Sequence, residues 1–191
     1  MVISFLLNVA FLVLCLGIGG MHYGCIDDYF MASLVTGAYG GDFDARTLFV
    51  NGIYAYFLRP FYAMFPKIGW YSIFELIGVF IAFTSATYSL LRNQCGKLNV
   101  SVAIFLLACV SPAFYLQLGF TQCAAAMTAA GMLQIYTGHN EKKLPSLLFG
   151  AILLICGMVF RREGFLLGVP FLFFLLAISS LEKRSVYKWT I

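Results

Sequence analysis

Apolar residues gather into six long runs along the chain: about 2–20, 70–91, 98–111, 121–137, 144–160 and 165–181. Glu75 is the one charged residue inside them. Runs of this length and apolarity predict helices that cross or enter a bilayer. The first, Val2 to Gly20, would rise ~28 Å as a helix at 1.5 Å per residue. It contains the small-x-small stretch Gly17-Ile18-Gly19 that a secretory signal would be cut at, but no Lys or Arg precedes the run. A signal peptide needs that basic start, so the run is expected to remain as a membrane helix. The third is short, rising only ~21 Å against a hydrocarbon core of ~30 Å. Ser111-Pro112 is expected to kink it or end it below the membrane surface.

Between the first and second runs lies a stretch of a different kind, 21–69. It is poor in Ser, Pro and charge, so it is not a linker. Two helices are expected in it. One is capped by Asp27 or Asp28 and runs to about Gly37. After a Tyr39-Gly40-Gly41-Asp42 turn, the other covers roughly Ala45 to Phe65 and is interrupted at Pro60. The second helix is almost wholly apolar, with a narrow strip of small or polar residues through Arg46, Gly52, Ala55 and Arg59. Such a helix is expected to lie in the membrane interface. Tyr54, Tyr56, Tyr62, Trp70 and Tyr71 suit the headgroup level.

Composition agrees with this pattern. Hydrophobic residues make up 62% of the 191 positions and charged ones 10%, with a mean hydropathy of +0.91. A soluble domain of this size has no core large enough for that, and disordered chains are polar and poor in aromatics. The expectation is an all-α, polytopic transmembrane bundle, a single membrane domain over 1–191, whose solvent is the lipid bilayer. The net charge of +4 is small and forms no dense basic patch, so nucleic acid is excluded as a partner. The six cysteines show no CxxC and no zinc-type spacing with His. Most of them read as small hydrophobes.

Charge gives an orientation. If the six runs alternate, the connections at 92–97 and 138–143 and the tail after Leu181 fall on one side. They hold seven of the twelve cationic residues, but only Glu141 and Glu182 of the eight acids. Short basic loops stay in the cytoplasm. Both termini are therefore expected to be cytoplasmic in a multi-pass protein of the cell membrane, with 21–69 as a long extracytoplasmic loop.

The chemistry-bearing residues are few. Asp27-Asp28 follows the first membrane helix. Two adjacent carboxylates there suit a general base or a metal ligand at a helix start, or simply a cap with a solvated acid. Asp42 and Asp44 have the DxD spacing that holds a divalent metal ion on a phosphate in some transferases, though Asp also favours turns. Arg161-Arg162-Glu163 ends the fifth run on the outer side, where positive charge is disfavoured. Paired guanidinium groups there point to an anion such as phosphate, or to snorkelling and pairing with Glu163. Glu75, inside a membrane run, is a candidate substrate-binding residue or a partner for an outer arginine. His22 and His139 read as bland. The small residues Ala124 to Ala126, Ala129, Ala130 and Gly131 are expected to let their helix approach a neighbour closely.

The stretches DDYFMASLVTGAYGG, FVNGIYAYFLRPFY and GWY between Asp27 and Tyr71, with FTQCAAAMTAAG and FRREG later, resemble bacterial GT-C glycosyltransferases. The resemblance covers most of the chain by pattern. It implies transfer of a sugar from a polyprenyl-phosphate-linked donor on the extracytoplasmic side, in the making of cell-envelope polysaccharide. It implies a base or metal-ligand role for Asp27 or Asp28, and donor-phosphate binding by Arg161 or Arg162. GT-C enzymes usually have more membrane helices than the six runs found here. A fragment, a minimal version or a non-catalytic relative working with additional membrane subunits therefore stands beside the enzyme. So does a carrier or flippase component that uses the same arginines and a path through Glu75.

Overall fold

The computed structural model describes residues 1–38, 40, 43–92 and 96–189, with side chains described as far as 180. The chain is helical nearly throughout. In order come α1 (Val2–Ile18), β1 (His22–Tyr23), α2 (Ile26–Thr36), α3 (Gly52–Met64), α4 (Trp70–Arg92) and α5 (Lys97–Phe105). A short π-helical segment (Leu106–Val110) leads into α6 (Ser111–Leu116). Then follow β2 (Gln117–Leu118), α7 (Phe120–Glu141), α8 (Leu144–Phe160) and α9 (Arg162–Trp189).

Among the described residues, three stretches are long and apolar enough to cross a membrane: Trp70–Arg92, Lys97–Leu116 and Arg162–Ser180. α1 and α8 are apolar but shorter, at 17 residues each. Apolar outer surfaces are evident in the exposed Leu6 and Leu14 of α1, Leu148 and Ile155 of α8, and Leu167 and Phe173 of α9.

α7 is the central helix and packs against α4, α8 and α9. The small residues expected to permit close approach do so. A Cβ on Gly131 would sit 2.8 Å from the Gly150 carbonyl oxygen, and one on Gly150 would sit 2.8 Å from that of Gly131. Gly157 is equally tight against Thr128 Oγ1, at 2.6 Å. Ala124, Gly131 and Gly138 recur every seven residues along α7, and Gly150 and Gly157 do so along α8. That spacing keeps one seam of two gently crossing helices in register.

Buried polar side chains fasten the bundle. Asn8 donates to the Ser4 carbonyl (2.9 Å) and to Thr87 Oγ1 (3.4 Å), and accepts from the Tyr115 hydroxyl (3.2 Å). This joins α1, α4 and α6. The Gln134 amide donates to Ser85 Oγ (2.9 Å) and its oxygen accepts from Ser146 Oγ (2.7 Å), joining α4, α7 and α8.

Four expectations are corrected. The third run does not stop at Ser111: helix continues to Leu116, which brings its length to 20 residues. The wider π turn before Pro112 accommodates the proline ring, and Ser111 Oγ donates to the Leu107 carbonyl at 2.7 Å. The second loop helix begins at Gly52 rather than Ala45. The Asn51 side chain caps it through the Ile53 N–H (3.0 Å), and Thr47 Oγ1 closes a turn on the Val50 carbonyl (2.5 Å). Pro60 does not interrupt this helix, since it and Tyr56, whose carbonyl loses its partner, both face away from the bundle. The expected polar strip does not form, because Ala55 is in the core with Tyr54, Leu58 and Tyr62. α2 ends where expected, at Gly37, whose φ of 77° is the left-handed cap conformation glycine permits. The proposed turn falls on Tyr39, Gly41 and Asp42, which lie outside the described residues.

Candidate functional site

Two backbone bridges gather the chemistry at one end of the bundle. β1 pairs in parallel with β2, His22 opposite Gln117 and Tyr23 opposite Leu118. The Gly24 N–H then reaches the Leu118 carbonyl at 2.6 Å. The start of the long loop is thereby tied to the start of α7.

Asp28 sits at that junction and is 2% exposed. It lies in the first turn of α2, and its Oδ1 accepts the N–H of Phe120, the first residue of α7, at 2.9 Å. Its Oδ2 accepts from the Cys25 thiol at 3.0 Å. Two helix N-termini therefore converge on one carboxylate, which suits their dipoles and their unpaired N–H groups. Gly119 makes the approach possible, since a Cβ there would lie 3.1 Å from Asp28 Oδ2. Partial burial, and then the Asp28 carboxylate beside it, push the Cys25 thiol above its ordinary value and keep it a donor.

Arg161 meets the same helix start from the other side. Its guanidinium lies over the Phe120 ring, 5.3 Å from the centroid, and donates to Thr121 Oγ1. Glu163 is 3.7 Å away. Phe120 thus holds Asp28 by its backbone and Arg161 by its ring, while Phe49 stacks on it. Arg162 is largely exposed and loosely paired with Glu163 at 3.8 Å. Asp27 is half-buried, and no side-chain hydrogen bond or ion pair is assigned to it among the described residues.

Beneath Asp28 lies a buried tyrosine cluster at the start of α4. The Tyr62 hydroxyl accepts the Tyr71 N–H (3.0 Å), which as a helix-start donor has no partner within α4. The Tyr54 hydroxyl donates to the Tyr71 carbonyl (3.0 Å), and Ser72 Oγ donates to the Tyr23 hydroxyl (2.7 Å). Glu75 is fully buried here, in electrostatic reach of Asp28. Its carboxyl and the Tyr71 hydroxyl, one helical turn apart, face each other, and among the described residues neither has a further side-chain partner. The pairing of Glu75 with an outer arginine is not found, since Arg161 and Arg162 turn to Glu163.

Asp44 stands apart, at the other end of α2, where its N–H meets the Leu34 carbonyl. Arg46 engages both of its oxygens at 3.0 Å, and those hydrogen bonds hold its carboxyl below the ordinary range. Asp42 lies outside the described residues. No group of three or more His, Cys, Asp or Glu positioned for a metal occurs among the described residues.

Of the sequence candidates, Asp28 and Arg161 are brought together, Glu75 lies below Asp28, and Asp44 is elsewhere. Phe120, Thr121 and Gly119 were not anticipated. Glycine before a helix hints at a special N-terminus, but its partner is 92 residues away in sequence. Chemically, the junction offers a half-buried guanidinium at Arg161, an exposed one at Arg162, a half-buried carboxylate at Asp27 and, below them, the buried Glu75 carboxyl facing the Tyr71 hydroxyl. No family model, curated protein or solved structure matches the chain.

Proposed function

We propose that the chain is a multi-pass membrane protein that handles a phosphate-bearing lipid, and that it acts as a GT-C-type transferase. The donor would be a polyprenyl-phosphate-linked sugar, taken up on the extracytoplasmic face. The meeting of Asp28 and Arg161 on the two sides of Phe120 is the observation that carries this reading.

Roles follow from what each side chain has left to offer. Sugar transfer needs a base for the attacking hydroxyl and cations for the departing phosphate. Arg161 and Arg162 supply the cations. Asp28 has both oxygens engaged, so its work is to position the start of α7. The base is then Asp27, which is half-buried on the same turn. Glu75 and Tyr71 would pair with sugar hydroxyls if the loop helices shifted to admit them. A carrier for the same lipid is the second reading, favoured by one feature: a carboxyl with no cation beside it inside α4.

Purified protein with a polyprenyl-phosphate-linked sugar separates these readings. Asp27→Asn should cut transfer by ~10²–10⁴-fold, the usual worth of a general base, and leave donor binding intact. Arg161→Ala should weaken binding by about 1.5–3 kcal/mol for a lost charged hydrogen bond. Donor binding by the wild type that is lost in Arg161→Ala, with no transfer detected, would leave the carrier; unchanged transfer in Asp27→Asn would remove Asp27 as the base. Unchanged binding in Arg161→Ala and Arg162→Ala would remove the site.

A further inference from the structure

At the opposite end of the bundle, α1, α4, α7 and α8 enclose a groove of 520 Å³, within the ~300–1,000 Å³ range of small-molecule sites. Its walls are Phe5, Phe80, Ile81 and Phe149. Ser85, Gln134 and Ser146 line it too, already bonded to one another. Thr84 adds a hydroxyl with no partner. At the rim stand Arg92 and Lys143.

The rim carries excess positive charge. Arg92 donates to Glu141 and, at 3.4 Å, to Ser146 Oγ. Lys143 lies 2.9 Å from the same Glu141 oxygen, with 60% of its side chain exposed. One carboxylate thus faces two cations, and Lys142 adjoins them in sequence. The rim coincides with the last turn of α4 and the start of α8, the level at which membrane-crossing helices meet lipid headgroups. Apolar walls rising from a cationic rim match a single-headed shape: one acyl chain between α1 and α4, with a phosphate above it.

We infer that this groove binds an anionic phospholipid, its phosphodiester against Lys143 and Arg92 and its acyl chain along Phe5, Phe80 and Ile81. The site is distinct from the Asp28–Arg161 junction and needs no sugar chemistry. A zwitterionic headgroup would bring its own cation to the rim and gain less. Free phosphate would leave the apolar walls uncovered.

The test is retention of lipid by the full chain purified in detergent, read by native mass spectrometry. The probes are dioleoyl phosphatidylglycerol, dioleoyl phosphatidylcholine and inorganic phosphate. One phosphatidylglycerol should be retained per chain, at least tenfold in preference to phosphatidylcholine. Lys143→Glu should lower its affinity at least tenfold, and so should Ile81→Trp, which fills the groove. Leu166→Trp, on the exposed face of α9, should not. Matching circular dichroism and thermal midpoints establish that each variant is folded. Equal retention of the two lipids overturns the inference, as does wild-type binding by whichever groove variant is folded. Displacement of phosphatidylglycerol by millimolar phosphate overturns the lipid occupant.

Discussion

Asp28 is nearly sealed from solvent because two helix starts and a thiol replace the water it lost. Removing it should be felt in stability whether or not transfer is measured. Asp28→Ala should cost about 1–3 kcal/mol for a lost cap and a buried N–H left unpaired, read as a lower thermal midpoint in detergent. Asp28→Asn should retain part of this, since its amide oxygen still accepts. Asp27→Asn should leave the midpoint unmoved, which separates the positioning acid from the proposed base. At the other end, burial alone would raise Glu141, but Lys143 and Arg92 outweigh it and hold the carboxyl below its ordinary value. A depressed folded value contributes stability above the unfolded value of about 4.3. That contribution is lost as pH falls through the folded value. Glu141→Gln should therefore destabilise the protein at pH 6, and the difference should begin to shrink only as pH falls below about 4.3, checked by thermal midpoints at descending pH. Arg161 was legible as an anomaly of charge, but the Asp28 clamp was not. An Asp after a glycine-rich bend reads as a cap of its own helix, but Cys25 holds that position and Asp28 instead caps a helix whose first N–H is 92 residues later, which nothing local reveals.

Helices as elements were largely legible, because an apolar run long enough to cross a membrane has few other ways to satisfy its backbone. Their edges were less so. Asn51 starts α3 and Thr47 shapes the turn before it, yet the apolar Leu48-Phe49-Val50 between them hides the boundary. Similarly, Pro112 signals a break by its missing N–H, while the π turn that absorbs it depends on how α5 and α6 pack against α1 and α4. The α7–α8 seam was foreseen from α7 alone, but its partner glycines were not. Gly131→Ala and Gly150→Ala should each force the helices apart against backbone oxygens at 2.8 Å, costing about 1–3 kcal/mol as overpacking does. Gly17→Ala, with nothing within 4 Å of its added methyl, should be neutral or slightly favourable within a helix. Chemical or thermal unfolding of the three variants in one detergent would check the contrast.

For the molecule as a whole, the long loop, β2 and Arg161 gather at one end, and Arg92, Glu141 and Lys143 at the other. On the positive-inside rule the second end is the one expected to face the cytoplasm. Cysteine replacements at Ala45 and Lys142 should therefore differ in intact cells: an impermeant maleimide should label position 45 and spare position 142. The reverse pattern would invert the protein and, with it, the side on which a sugar donor is met. The long-range hydrogen bonds also set an order of events at the ribosome. If α1 inserts as a membrane helix, Asn8 enters the bilayer with it, and its Tyr115 partner follows 107 residues later. At ~5–20 residues per second, that is a wait of about 5–20 s. Throughout it the amide has only Ser4 and, later, Thr87 for company. Asp28 waits nearly as long for Phe120. On that reading the nascent first helix is expected to be sheltered by the insertion machinery, with release into lipid coinciding with the arrival of the sixth and seventh helices.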